Sequence, residues 1–128
     1  MLFEHLHHVA IIARDYQKSK WFYSQVLGFE VVREVYREER GSWKCDLSLR
    51  GNYLLELFSF PSPAVRPSYP EATGLRHIAF SVTNLESAIE HLSAHKVTCE
   101  PIRVDDYTKK RFTFFADPDD LPIELYEL

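Results

Sequence analysis

The chain contains one pattern twice. Leu6-His7-His8-Val9-Ala10 aligns with Leu75-Arg76-His77-Ile78-Ala79 at an offset of 69 residues. Asp15 and Asn84, each placed to cap a helix, share that offset of 69. Leu55-Glu56-Leu57-Phe58 aligns with Ile123-Glu124-Leu125-Tyr126 at an offset of 68. A near-constant spacing at the start and the end of both halves marks two copies of one supersecondary unit. The 128 residues are one domain by length, or two very small modules sharing one core.

The pattern within each copy reads βαβββ. In the first, residues 6–13 are β-branched and too short for an independent helix, so they read as a strand. Asp15 then caps a helix through about Leu27, with Ser19, Phe22, Tyr23 and Val26 on one face and Gly28 as its left-handed terminator. Strand-like runs follow at 29–36, 43–49 and 53–60, separated by Gly41-Ser42 and Gly51-Asn52. In the second copy, 75–82 is a strand. Asn84, or a capping box of Thr83 with Glu86, opens a helix through about Lys96 with Leu85, Ala88, Ile89 and Leu92 on its apolar face. Runs at 97–104, 110–116 and 122–127 complete it. Between the copies, residues 61–74 hold four of the seven prolines, which suits a semi-rigid linker and not a central strand. The expectation is an α+β chain, one domain over 1–128, with module 1 at about 5–60, the linker at 61–74 and module 2 at about 75–128.

Composition narrows the function. A hydrophobic content of 45% builds a core, and a net charge of −4 leaves no basic footprint for nucleic acid. No apolar run reaches about 18 residues, so no membrane span is expected. The first residues lack the cationic and apolar regions of a signal peptide, and a cytoplasmic location is the expectation. Cys45 and Cys99 have no CxxC partner and read as reduced, partly buried thiols.

The chemistry concentrates in the repeated residues. Glu56 lies in Tyr53-Leu-Leu-Glu-Leu-Phe-Ser-Phe60, a run apolar on both strand faces and therefore expected to be buried on both. A carboxylate there costs several kcal/mol unless it is paired or binds a metal. Glu124 poses the same problem in Pro122-Ile-Glu-Leu-Tyr126, and His8 and His77 also sit in apolar strands. One divalent ion bound by His8, Glu56, His77 and Glu124 answers all four burial problems. Imidazole nitrogen and carboxylate oxygen suit zinc, nickel, cobalt, manganese or iron(II). An octahedral ion would keep two positions for water or substrate. His7 faces away from His8 and reads as structural or exposed. His91 and His95, four apart on a helix, read as solvent-facing. Trp43 reads as a pocket wall or as core packing. The mixed charges at Arg33-Glu34 and Arg37–Arg40 read as a solvated strand and turn. Lys110 and Arg111 could hold an anionic substrate tail, or could simply open an exposed strand.

At these residues the sequence resembles the vicinal oxygen chelate superfamily, which includes glyoxalases, bleomycin-resistance proteins and dioxygenases. The matching motifs are His8-Val-Ala-Ile with Asp15, Gly28-Phe29, Leu55-Glu56-Leu57, His77-Ile-Ala-Phe with Asn84, and Asp117-Pro118-Asp119 before Ile123-Glu124-Leu125. The resemblance is strongest to short bacterial glyoxalase I-like proteins, the lactoylglutathione lyase type. It implies paired βαβββ modules whose strands curl around a metal cup. It implies a His, Glu, His, Glu ligand set at His8, Glu56, His77 and Glu124, and a homodimer in which His8 and Glu56 of one subunit meet His77 and Glu124 of the other. The proline-rich linker permits that arrangement or pairing within one chain. The implied reaction is proton transfer on a small substrate with two neighbouring oxygens, such as the hemithioacetal of a 2-oxoaldehyde with glutathione. Glu124 would be the base and Glu56 chiefly a ligand. Alternatives are another metalloenzyme of this scaffold, such as an epimerase, dioxygenase or thiol transferase, or a non-catalytic small-molecule-binding protein. Two departures stand out: the family's common Asp-Pro-Asp-Gly turn ends here in Asp120, and no set of glutathione-contacting residues is matched.

Overall fold

The computed structural model describes residues 1–128. The chain divides into two compact units, Met1–Val65 and Arg66–Leu128, and the boundary falls inside the proline-rich stretch.

Unit 1 is built from β1 (Val9–Ala13), α1 (Tyr16–Trp21), β2 (Glu30–Arg37), β3 (Ser42–Leu49) and β4 (Asn52–Ser59). The sheet order is β1-β4-β3-β2. β1 runs parallel to β4, and the other pairs are antiparallel. Parallel pairing of first and last strands requires a crossover, which α1 begins. Asp15 caps α1 by accepting the Lys18 N–H at 3.1 Å. The expected helix to Leu27 is present but changes character: after Trp21 it continues as a π-helical stretch, Phe22–Val26. Phe22, Tyr23 and Val26 are buried along this stretch. One face of the sheet forms the core, through Ile11, Ala13, Cys45, Leu47, Leu55 and Leu57. Each Ile or Leu in this set contributes on the order of 1.5–3 kcal/mol of burial.

Unit 2 repeats the plan with β5 (Ile78–Val82), α2 (Leu85–Ala94), β6 (Arg103–Val104), β7 (Arg111–Ala116) and β8 (Pro122–Glu127). The order is β5-β8-β7-β6, again with the outer first strand parallel to the last. Asn84 is the cap, accepting the Ser87 N–H at 2.9 Å. Leu85, Leu92, Thr113, Phe115, Ile123 and Leu125 are buried. Both units are thus βαβββ modules with four-stranded mixed sheets, as the repeat predicts.

Three features depart from the sequence expectation in ways that bear on the site. The first strands begin at Val9 and Ile78, so His8 and His77 stand just ahead of them. The expected strand at 97–104 shrinks to Arg103–Val104. Val97 donates its N–H to Leu92 O at 2.9 Å, closing α2, and Pro101 has no N–H to give a ladder. Finally, the stretch 54–58 is buried on one face only. Leu55 and Leu57 are 2% and 1% exposed, whereas Leu54, Glu56 and Phe58 are half-buried.

Candidate metal centre

The faces opposite the two cores carry the repeated residues. In unit 1, Ala10 pairs with Glu56 across β1 and β4. Side chains alternate along a strand, so His8, two residues before Ala10, shares the face of Glu56. His8 Nε2 lies 3.7 Å from Glu56 Oε2. In unit 2, Ala79 pairs with Glu124, and His77 Nε2 lies 3.0 Å from Glu124 Oε2. The same register thus produces the same imidazole–carboxylate pair twice. The histidine side chains are about one-third exposed, at 36% and 33%, and the carboxylates 15% and 14%. The expectation of fully buried ligands is therefore corrected: these are half-open pairs on accessible sheet faces. No three His, Cys, Asp or Glu side chains are grouped in the chain so as to hold a metal, and each pair by itself offers two donors. The donor chemistry fits a divalent transition ion, for which neutral imidazole and carboxylate are both suitable ligands.

The surroundings of the two pairs differ. The β3–β4 register jumps from Leu47↔Leu55 to Ser48↔Tyr53, leaving Leu54 as the extra residue of a bulge. A bulge re-aims the side chains that precede it. Tyr53, which strict alternation would put with Leu55 and Leu57 in the core, instead donates its hydroxyl to Glu56 Oε2 at 2.7 Å. Its ring stacks on His8 at a centroid distance of 5.4 Å. Across the strands, Asp46 pairs with Glu56 and accepts from Lys44 Nζ at 2.8 Å. The same Nζ is 3.5 Å from Glu56 Oε2. The hydrogen bond to Asp46, helped by Glu56, holds the Lys44 ammonium above its ordinary range. Burial and then the bond to Glu56 push the Tyr53 phenol up. His7 is exposed, as expected, but is not turned away from His8: its Nδ1 lies 2.9 Å from His8 Nδ1, and Nε2 of His8 is the nitrogen turned to Glu56.

In unit 2 the position facing Glu124 is Phe114, whose ring meets His77 edge-on at 5.0 Å. His77 is the polar neighbour of Glu124. Nothing in this pair corresponds to Tyr53, Lys44 or Asp46. Asp120, where the family's turn commonly has glycine, takes a left-handed φ of 66°. Asp117 Oδ1 steadies that turn by accepting from Asp119 N at 2.8 Å and Leu121 N at 2.9 Å.

Of the two readings of Arg111, the geometry does not favour an anion contact beside Glu124. It alternates with Phe112 and Phe114 and so lies on the other face of β7 from Glu124. There its guanidinium donates to Glu86 Oε1 at 2.6 Å and to Glu127 Oε1 at 2.7 Å, tying α2 to β8. Lys110 sits exposed in the turn before β7. Trp43 stacks on Tyr16 at 5.6 Å and packs against Tyr36 at 5.1 Å, which is aromatic packing. The His91 and His95 rings lie 4.6 Å apart on α2. Cys45 and Cys99 are free thiols, both raised by burial.

Comparison with known sequences decides the family. The Glyoxalase/Bleomycin resistance protein/Dioxygenase superfamily matches residues 5–125. The chain belongs to this superfamily. Within it, the protein YaeR of Escherichia coli (strain K12) is 64% identical over 122 residues, covering 95% of each chain. YwkD of Bacillus subtilis (strain 168) is 59% identical over 127 residues, covering 99% of each. The crystal structure of a glyoxalase family protein from Enterococcus faecalis superposes with a TM-score of 0.90 at 51% identity, covering 99% of this chain and 100% of that one. More distant members carry names of different chemistries. Lactoylglutathione lyase of Schizosaccharomyces pombe is 28% identical over 141 residues, covering 94% of this chain and 46% of that protein. Mitochondrial methylmalonyl-CoA epimerase of Homo sapiens is 30% identical over 132 residues, covering 96% and 72%. No helix of this superfamily member is long and apolar enough to cross a membrane.

Proposed function

We propose that the protein is a divalent-metal-dependent, glyoxalase I-like isomerase that moves a proton beside a carbonyl on a small substrate with two neighbouring oxygens. The observation that carries this reading is the duplicated His–Glu pair, at 3.7 Å and 3.0 Å, in the same register of two like sheets. Each pair is half a ligand set. A homodimer that joins the His8–Glu56 pair of one subunit to the His77–Glu124 pair of the other gives four donors, as the family resemblance implies. When bound, the ion would act as a Lewis acid toward the substrate's vicinal oxygens and acidify the carbon-bound proton between them.

The two carboxylates divide the remaining work. Glu56 Oε2 already accepts from Tyr53 and lies against Lys44, so its position is fixed. Glu124 has one close polar side chain, His77, and faces Phe114 across the strands. Glu124 is therefore the residue free to take the proton from one carbon and return it to its neighbour, while Glu56 orients. That division supports the base assignment which the resemblance implies. The occurrence of both a lyase and an epimerase among the distant relatives fits one shared step, proton removal next to a carbonyl.

The test is a substrate panel with protein loaded in turn with zinc, nickel, cobalt, manganese and iron(II). The hemithioacetal of methylglyoxal and glutathione comes first, and a 2-substituted acyl thioester with an acidic proton comes second. Turnover that is abolished by chelation and restored by metal is expected. Saturable binding without turnover across the panel would favour a binding protein instead.

A further inference from the structure

The sheet face that carries His8 and Glu56 also carries an arginine whose charge is unanswered. Arg37 pairs with Ser42 at the end of β2, two residues beyond Val35, which pairs with Lys44. Alternation puts Arg33, Val35 and Arg37 on the face shared by Lys44, Asp46 and Glu56. Arg37 reaches back over β4, with its guanidinium carbon 4.8 Å from the Phe58 ring centroid and 5.8 Å from that of Phe60. One amino group donates to Ser42 Oγ at 3.0 Å. Its Nε is buried and has no hydrogen-bond partner, and no carboxylate forms an ion pair with the group. The neighbouring cations are engaged: Lys44 by Asp46 and Glu56, and Arg33 by Asp46 at 3.7 Å. Two stacked rings hold the Arg37 guanidinium flat and limit the directions in which it can turn.

We propose that Arg37 receives a terminal oxyanion of the substrate, a carboxylate or phosphate a few bonds away from the vicinal oxygens. This rests on the metal-centre reading above. A planar guanidinium with spare N–H groups is the side chain best matched to such a group, because it can donate two parallel hydrogen bonds. The position suits the length. Glu56 and Phe58 are successive residues on one strand face, a spacing of about 7 Å. Lys44 bridges them, adjoining Glu56 and pairing with Phe58. Arg37 over Phe58 therefore stands roughly one short acyl chain from the donor pair. Arg37 thereby takes a role that was one of two sequence readings of Arg111, whose guanidinium is held by Glu86 and Glu127. The substrate class follows: small anionic molecules with an oxygen pair at one end and an acid group at the other.

The test uses hydroxamates, whose two adjacent oxygens mimic the reacting end. Zinc-loaded full-length wild type and Arg37→Met are titrated by calorimetry with the monohydroxamates of succinic and glutaric acid, with their methyl esters, and with acetohydroxamic acid. Methionine keeps an apolar stem against Phe58 and Phe60, so the fold survives. In wild type at least one free acid should bind about tenfold or more tightly than its ester, a typical difference for a charge-assisted pair. In Arg37→Met acid and ester should bind alike, and acetohydroxamic acid should bind both proteins equally. An acid preference that persists in Arg37→Met, or none in wild type for either chain length, overturns the proposal. Failure of acetohydroxamic acid to bind zinc-loaded wild type contradicts the metal centre instead. In that case succinate and inorganic phosphate, titrated into metal-free protein while the Arg37 Nε–H resonance is followed by NMR, still decide the arginine. A saturable shift of that resonance supports the site, and an unmoved resonance ends it.

Discussion

At the scale of single residues, the two modules have diverged in what surrounds a shared pair. Tyr53 touches both unit 1 donors, bonding Glu56 and stacking on His8. Groups that orient ligands in this way commonly alter metal affinity about 10–100-fold when removed. Tyr53→Phe keeps the ring and loses the hydroxyl. It should weaken metal binding by about tenfold with little change in thermal stability, as measured by competition with a chelator. Glu124→Gln keeps size and a weak oxygen donor but removes the base. Turnover should fall by a factor of about 100 or more, with metal occupancy retained when both are measured on one preparation. The two His–Glu pairs were legible in the sequence, because a repeat places equivalent residues at equivalent sites. Tyr53 was not, since a bulge shifts the period of two and no residue pattern in Gly51-Asn52-Tyr53 marks where the extra residue falls. Arg37 was hidden in a run of mixed charges that reads as solvated surface. Arg111 illustrates the reverse: its cluster of positive charge suggested ligand binding, but its strand parity turns it to the helix side.

At the scale of elements, the helices hold the sheets from their core side, which leaves the other faces to the chemistry. α2 begins at a cap and is pinned by the Arg111 bridge to Glu86 and Glu127. Asn84→Ala removes the acceptor for Ser87 N–H and should cost about 1 kcal/mol. Leu92, 3% exposed, packs beneath; Leu92→Ala should cost roughly 2–5 kcal/mol through lost burial and the cavity left behind. Urea denaturation of the two variants checks both values, and a larger loss for Asn84→Ala than for Leu92→Ala would contradict this account of α2. Caps, apolar periodicity and the last strand of each module were readable because they depend on local residues. The edge strand at 97–104 was not, because its fate depends on Val97 closing the helix and on Pro101 interrupting the ladder.

At the scale of the whole molecule, the chain offers two His–Glu pairs, and the proposed metal centre joins them through a dimer. Light scattering at micromolar concentration should give twice the 15.0 kDa chain mass. A monomer with full metal content would exclude a shared site. The most direct measurement of the central claim is metal binding by differently tagged His8→Ala and His77→Ala chains, alone and reassembled together. Each variant alone breaks both sites of its dimer and should lose tight binding. In the mixed dimer, one site carries both substitutions and the other carries none, so one tightly held divalent ion per mixed dimer is the expected result. Stoichiometric tight metal in either variant alone would contradict the ligand assignment, and a mixed dimer binding no better than its parents would contradict the sharing of the site between chains.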